Sequence, residues 1–282
     1  MTPEKTGAVA LFEAVRLLKG AGVADPATDA RILLAHALKT ERARLTLVDQ
    51  EPMSSVALAE YETLIAARMG RQPVSQIIGL RAFYGRDFRV TPDVLDPRPD
   101  TELVIDLALE RPFERVLDLG TGSGCILLTL LAETKATGLA TDVSAAALVV
   151  ARGNAEALNL TSRTEFITSD WFADIPPQAF NLIVSNPPYI SAQAMQTLAP
   201  EVRDWEPHGA LTPGGDGLGP YQILTQNAPR YLVPNGRLIV EIGFDQGLQV
   251  AQMFEQAGFT QVAVSKDLSN NDRAVSGVWA EN

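Results

Sequence analysis

From Thr6 to about Gly70 apolar residues recur at helical spacing, as in Val9, Phe12, Val15 and Leu18, and no segment alternates as a strand does. Asp25 followed by Pro26 reads as an N-cap and first helical residue, ahead of Ile32, Leu33, Ala35 and Leu38. Ser54 or Ser55 starts another helix through Leu58, Leu64, Ile65 and Met69, which Gly70 ends. A small all-helical domain is expected over residues 1–72. No motif within it decides between docking a substrate and a purely structural role.

Residues 73–99 show short alternating stretches around Gly79 and Gly85, which predict a hairpin linker. Asp100 is expected to cap a helix from Thr101 to about Leu109. Beyond it, strand and helix patterns alternate. Strands are expected at 115–119, 137–141, 164–168, 180–184, 237–242 and 261–264, with helices at 123–132, 145–158, 221–232 and 246–257. The final SNNDRAVSGVWA predicts a closing antiparallel hairpin. The expected fold class is therefore α/β, a doubly wound, mostly parallel sheet forming a catalytic domain over residues 100–282. Ligands of such sheets sit beyond the carboxyl ends of the strands, near the switch point.

Charge and composition narrow the chemistry. The 282 residues carry a net charge of −11, which argues against a protein that lives on the phosphate backbone of nucleic acid. One cysteine, Cys125, excludes an internal disulfide, and together with His36 and His208 it is a poor set for zinc; no metal is expected. No apolar run approaches the roughly 20 residues of a membrane span, so a cytoplasmic protein is the expectation.

VLDLGTGSGCI, Val116 to Ile126, runs from an apolar strand through Gly120, Gly122 and Gly124 into a helix. Glycine permits a sharp turn and close approach of a ligand, and the helix start offers free N–H groups. The spacing is G-x-G-x-G rather than the dinucleotide G-x-G-x-x-G, and the triphosphate motif G-x-x-x-x-G-K-[ST] is absent. Asp142, about 20 residues past the first glycine, stands where a carboxylate accepts hydrogen bonds from a ribose diol; alone it reads equally as an N-cap near Ser144. Ser169 to Trp171 places an aromatic face after the third strand, where an adenine can lie. Together these describe a nucleoside ligand whose tail need not be a pyrophosphate, and S-adenosylmethionine fits.

SNPPYI, Ser185 to Ile190, ends the fourth strand with two adjacent prolines, which cannot continue a sheet ladder. Such a rigid loop suits methyl transfer to a planar NH2 group, whose delocalised lone pair makes it a poor nucleophile. Asn186 offers its side-chain carbonyl and Pro187 its backbone carbonyl, directed because Pro188 restricts the residue before it. Tyr189 offers a flat face for the planar group. Leu211 to Tyr221, rich in glycine, reads as a flap over the site or as a plain surface loop.

VLDLGTGSG, SDWF and VSNPPYI resemble the methyltransferases that modify a glutamine side-chain amide in class 1 peptide chain release factors, the PrmC (HemK) family. The similarity runs from about Pro73 to the end, through the linker, EPHGALTPGGDGL, LIVEIGFDQG and NNDRAVSG. It implies a Rossmann-like class I S-adenosylmethionine-dependent fold. It further implies Gly120, Thr121, Gly122, Ser123 and Gly124 around the methionine moiety, Asp142 on ribose and Trp171 by adenine. Asn186, Pro187, Pro188 and Tyr189 would grip the target glutamine of a Gly-Gly-Gln motif, with Asn186 also beside the cofactor. The helical domain would help hold the release factor. Asp96 departs from the family pattern, which has an apolar residue there. Asn-Pro-Pro-Tyr is shared with enzymes methylating adenine or cytosine, so a ribosomal-protein glutamine and a nucleic-acid amino group stay open as substrates, as does a docking protein without turnover.

Overall fold

The computed structural model describes residues 5–280, which divide into two units. One runs to Gly79 and takes in Ala199–Trp205; the other comprises Leu80–Leu198 and the chain from Glu206 onward.

The first unit is helical: α1 (Gly7–Gly20), α2 (Pro26–Ala37), the single turn α3 (Leu45–Val48), α4 (Ser55–Met69) and α5 (Val74–Ile78). The expected caps form, with Asp25 Oδ1 accepting from Thr28 N and Ser54 Oγ from Ala57 N. The buried face of α1 differs from the apolar row that marks it. Ala10, Ala14 and Leu18 are buried, whereas Phe12 is 75% exposed, because small residues let α1 approach its neighbours closely. The linker expected from residue 73 opens instead with α5, ended by Gly79 in the left-handed region, φ 77°.

In the second unit the hairpin β1 (Leu80–Phe83) and β2 (Arg86–Arg89) turns at Tyr84 and Gly85, both at positive φ as a two-residue hairpin turn requires. A 3-10 turn, Pro99–Thr101, leads into α6 (Glu102–Leu109). Asp100 does not cap this helix with its side chain as expected; the residue ahead of the turn is Arg98. There follow β3 (Arg115–Leu119), α7 (Cys125–Glu133), β4 (Thr137–Asp142), α8 (Ala145–Ala157), β5 (Thr164–Thr168) and β6 (Phe180–Ser185).

The single turn α9 (Pro200–Arg203) counts with the first unit, where Glu201 pairs with Arg68 at 3.0 Å and Arg71 at 2.6 Å. Then come α10 (His208–Leu211), α11 (Gly219–Asn227), β7 (Leu232–Glu241), α12 (Gly247–Gln256), β8 (Phe259–Lys266) and β9 (Asp272–Trp279).

The sheet order is β5-β4-β3-β6-β7-β9-β8, parallel from β5 to β7, with β9 and β8 closing antiparallel. The buried strands read as continuous apolar runs because both faces are covered. Val116, Leu182, Val184 and Ile239 pack with α6 and α7 residues on one face; Leu117, Leu119, Ile183, Leu238 and Val240 pack with α11 and α12 residues on the other. The order reverses between β3 and β6, which lie side by side with Leu119 opposite Ser185. That switch point brings the glycine loop and the Asn-Pro-Pro-Tyr loop together.

Candidate active site

Beyond β3 the chain turns through Gly120, Gly122 and Gly124, at φ 73°, 53° and 81°. A Cβ on Gly120 or Gly122 would meet nothing within 4 Å, so these two leave open space to a ligand. One on Gly124 would lie 2.9 Å from Leu128 Cδ1, so the third glycine serves the packing of loop on helix. Gly120 N and Thr121 N both donate to the Thr141 carbonyl at 2.9 Å, and Thr121 Oγ1 donates to Asp118 Oδ2 at 2.7 Å. Asp118 is wholly buried and its Oδ1 has no hydrogen-bond partner. Burial pushes this carboxyl up to about 7, partly opposed by Thr121.

Asp142 ends β4 and does two jobs within the protein. Oδ2 accepts from Gly122 N and Oδ1 from Ser144 N, each at 2.9 Å. Burial raises its pKa, and these N–H groups hold it back. It thus acts on the turn near Ser144 while still lining the cavity. Past β5, Trp171 takes φ 52°, an unusual backbone for so bulky a residue. The loop is fastened by Ser169 Oγ donating to the Trp171 carbonyl at 2.9 Å and by Ser169 N donating to the Asp142 carbonyl at 3.0 Å.

After β6, Asn186 Nδ2 donates to Thr101 Oγ1 at 3.3 Å, and Asn186 Oδ1 is buried without a partner. Tyr189 donates its hydroxyl to Glu241 Oε1 at 3.2 Å, and its carbonyl accepts from Gln246 Nε2 at 3.1 Å. The glycine-rich loop is fastened to this segment: Ile190 N donates to the Leu211 carbonyl and Ala192 N to that of Gly215, each at 3.0 Å.

A cavity of about 680 Å³ joins these loops, a size usual for a small-molecule site. It is lined by Gly120, Thr121, Gly122, Ser123, Asp142, Trp171, Asn186 and Pro188; Gly124, Pro187 and Tyr189 do not line it. Sequence reasoning missed Thr101 and Arg98 on its wall, and Glu241 behind it. An acid ending an apolar strand, as in LIVEIG, was the available signal for Glu241. Asp96, the departure in the linker, also lines the cavity; it is 5% exposed and 3.8 Å from Arg81 Nη1, so an ion pair accompanies its burial. Among the described residues no cluster of His, Cys, Asp and Glu suits a metal, and no helix is long and apolar enough to cross a membrane.

A model of the PrmC N-terminal domain matches residues 10–79, and one of the methyltransferase small domain matches residues 96–216. The chain is 56% identical to the release factor glutamine methyltransferase of Cereibacter sphaeroides, over 95% of this chain and 96% of that one. It is 41% identical to the protein of that name from Agrobacterium fabrum, over 97% of each. A methyltransferase structure from Pyrococcus furiosus aligns with TM-score 0.54 at 19% identity, covering 79% of this chain and all of that one, and so supports the fold alone.

The sheet, its switch-point cavity and these matches define a Rossmann-like class I methyltransferase. Its methyl donor is S-adenosylmethionine. The chain belongs to the PrmC family of release factor glutamine methyltransferases. The donor carries positive charge, and the cavity fits it: open space stands over Gly120 and Gly122, Asp142 reaches the wall, and Asn186 Oδ1 is a buried acceptor without a protein partner.

Proposed function

We propose that the protein methylates the side-chain amide nitrogen of a glutamine in class 1 peptide chain release factors. The observation that carries this reading is the buried, unpartnered Asn186 Oδ1 on a cavity wall beside the glycine loop, in a chain whose relatives bear that name. A buried acceptor left unsatisfied is costly unless something donates to it, and a carboxamide NH2 is such a donor.

The bound donor supplies an electrophilic methyl on sulfonium. Gly120 to Ser123 would wrap its amino-acid end with Gly124 shaping the turn, Asp142 would accept from the ribose and Trp171 would cover the adenine. Asn186 Oδ1 and the Pro187 carbonyl would accept the two amide hydrogens, favouring a pyramidal nitrogen; as the N–CH3 bond forms the S–CH3 bond breaks to leave a neutral thioether, and the nitrogen gives up one proton to solvent. The Pro187–Pro188 pair fixes the second acceptor's direction, so that the rate comes from positioning rather than from a strong base. Tyr189, its hydroxyl held by Glu241, keeps its ring oriented for the planar amide. The helical unit holds the rest of the release factor, and a cytoplasmic location suits such a substrate. The net charge of −11 agrees with a protein partner rather than nucleic acid.

Incubation with methyl-labelled donor and, separately, a release factor, a ribosomal protein and DNA tests the reading. Label on the release factor is expected. Label on DNA alone, or on the ribosomal protein alone, would overturn it.

A further inference from the structure

Asparagine is a two-faced catalyst for this reaction. Its oxygen accepts the substrate's hydrogens, but its NH2 placed there instead would repel them, and the two ends of the amide are nearly the same shape. Something must choose between them. Behind Asn186 lies a chain of hydrogen bonds that runs in one direction. Glu241, at the end of β7 and 1% exposed, accepts the Thr101 hydroxyl on Oε2 at 2.6 Å and the Tyr189 hydroxyl on Oε1 at 3.2 Å. An ionised carboxylate only accepts. The single Thr101 hydrogen is thereby committed to Glu241, and Thr101 Oγ1 has only lone pairs left for Asn186. It takes a hydrogen from Asn186 Nδ2 at 3.3 Å, which leaves Oδ1 as the free end.

We propose that Glu241, acting through Thr101, is a positioning residue that fixes the Asn186 amide with its oxygen toward the acceptor glutamine and, through the Tyr189 hydroxyl, fastens the loop that carries Asn186. The inference rests on the amide-methylating reading above. It assigns no substrate contact to Glu241 itself. Neither Thr101 nor Glu241 belongs to the Asn-Pro-Pro-Tyr loop; they come from the turn before α6 and from β7, so three separated segments agree on one orientation.

The relay depends on a carboxylate that has no proton to give. A protonated Glu241 can donate to Thr101, whose hydroxyl is then free to turn toward Asn186 and select its oxygen. Burial raises the Glu241 carboxyl to about 6, while the Thr101 hydroxyl and Arg273 favour its ionised form. Asp100 opposes ionisation, and Tyr189, Tyr221 and Cys125 also lie within its field. Turnover should therefore fall as pH drops through about 6, with cofactor binding much less affected.

The test is steady-state methylation of a release factor as a function of pH, with donor affinity measured by calorimetry on the same preparations. Wild-type transfer to glutamine is established first, so that failure of the substrate reading shows itself before any variant is made. Glu241→Gln keeps size and can donate. It is expected to lower kcat about tenfold or more, to keep donor affinity within about twofold, and to lose the acid limb near pH 6. Thr101→Val should lower kcat similarly, and Thr101→Ser, which restores the hydroxyl, should recover most of it. The threonine pair decides the matter if Glu241→Gln folds poorly. Wild-type kcat in Thr101→Val, no recovery in Thr101→Ser, or an unchanged acid limb in a folded Glu241→Gln would overturn the proposal.

Discussion

Ser185 Oγ donates to the Leu119 carbonyl at 2.7 Å, tying the last residue of β6 to the last residue of β3. The residue after each begins one half of the candidate site: Asn186 the acceptor loop, Gly120 the donor loop. Both partners are wholly buried. The spacing between the two halves is therefore set by the sheet ladder and by this side-chain bond.

Ser185→Ala removes the bond and leaves a carbonyl inside the sheet with one partner fewer. A loss of about 1 kcal/mol in unfolding free energy is expected by urea titration. The fall in kcat should exceed what that instability explains, because small misplacements of reacting groups cost rate steeply. Equal kcat at saturating substrates would show that the two loops keep their spacing without it.

The two halves are expected to separate kinetically. Asn186→Ala should reduce kcat about 100-fold or more while donor affinity stays nearly unchanged, since its oxygen is proposed to act on the acceptor. Asp142→Ala should weaken donor binding, both by losing the ribose contact and by freeing Gly122 N. Calorimetry with S-adenosylmethionine checks both; unchanged affinity in Asp142→Ala would contradict the ribose assignment.

Gly217 sits at φ 85°, and a Cβ there would collide with the Tyr189 carbonyl oxygen, a backbone atom that cannot move aside cheaply. Gly217→Ala should cost about 2 kcal/mol or more and should disturb turnover through the Tyr189 backbone. Thermal unfolding and kcat, measured together, check this. A stable variant with full activity would mean that the glycine-rich loop is only a surface connection.

Asp118 gives a pH signature. Its carboxyl stands at about 7 in the fold against 3.8 as its ordinary value, so the neutral acid is the form the fold favours. That contribution to stability is present below about pH 4 and is lost as pH rises through about 7. In the absence of donor, Asp118→Asn should therefore gain stability relative to wild type between about pH 5 and about pH 8. Urea midpoints that stay parallel across this range would contradict the assignment.

Much of this was legible because the parallel sheet obeys local rules. The runs at 115–119 and 164–168 coincide with β3 and β5, since a strand buried on both faces must be apolar and must stop at turn residues. The glycine loop, Asp142 and the Asn-Pro-Pro-Tyr segment were legible as loops at strand ends for the same reason. Phe12 misled, because the large apolar residue is exposed while alanines form the contact. Asp100 misled as well, since N-cap chemistry is common to many turns. The pairing of Thr101 with Glu241 was illegible for a different reason. The two stand 140 residues apart and meet only through the sheet, so no local pattern pairs them.

Methyl transfer to a release factor glutamine is tested most directly by mapping the methyl group on its acceptor. A class 1 release factor incubated with the protein and S-adenosylmethionine, then digested and analysed by mass spectrometry, should carry one added methyl on the side-chain nitrogen of the Gly-Gly-Gln glutamine, and far less of it when Asn186→Ala replaces the wild type. An unmodified glutamine in the presence of wild-type protein that binds its donor, or a methyl group only on some other atom of the release factor, would contradict it.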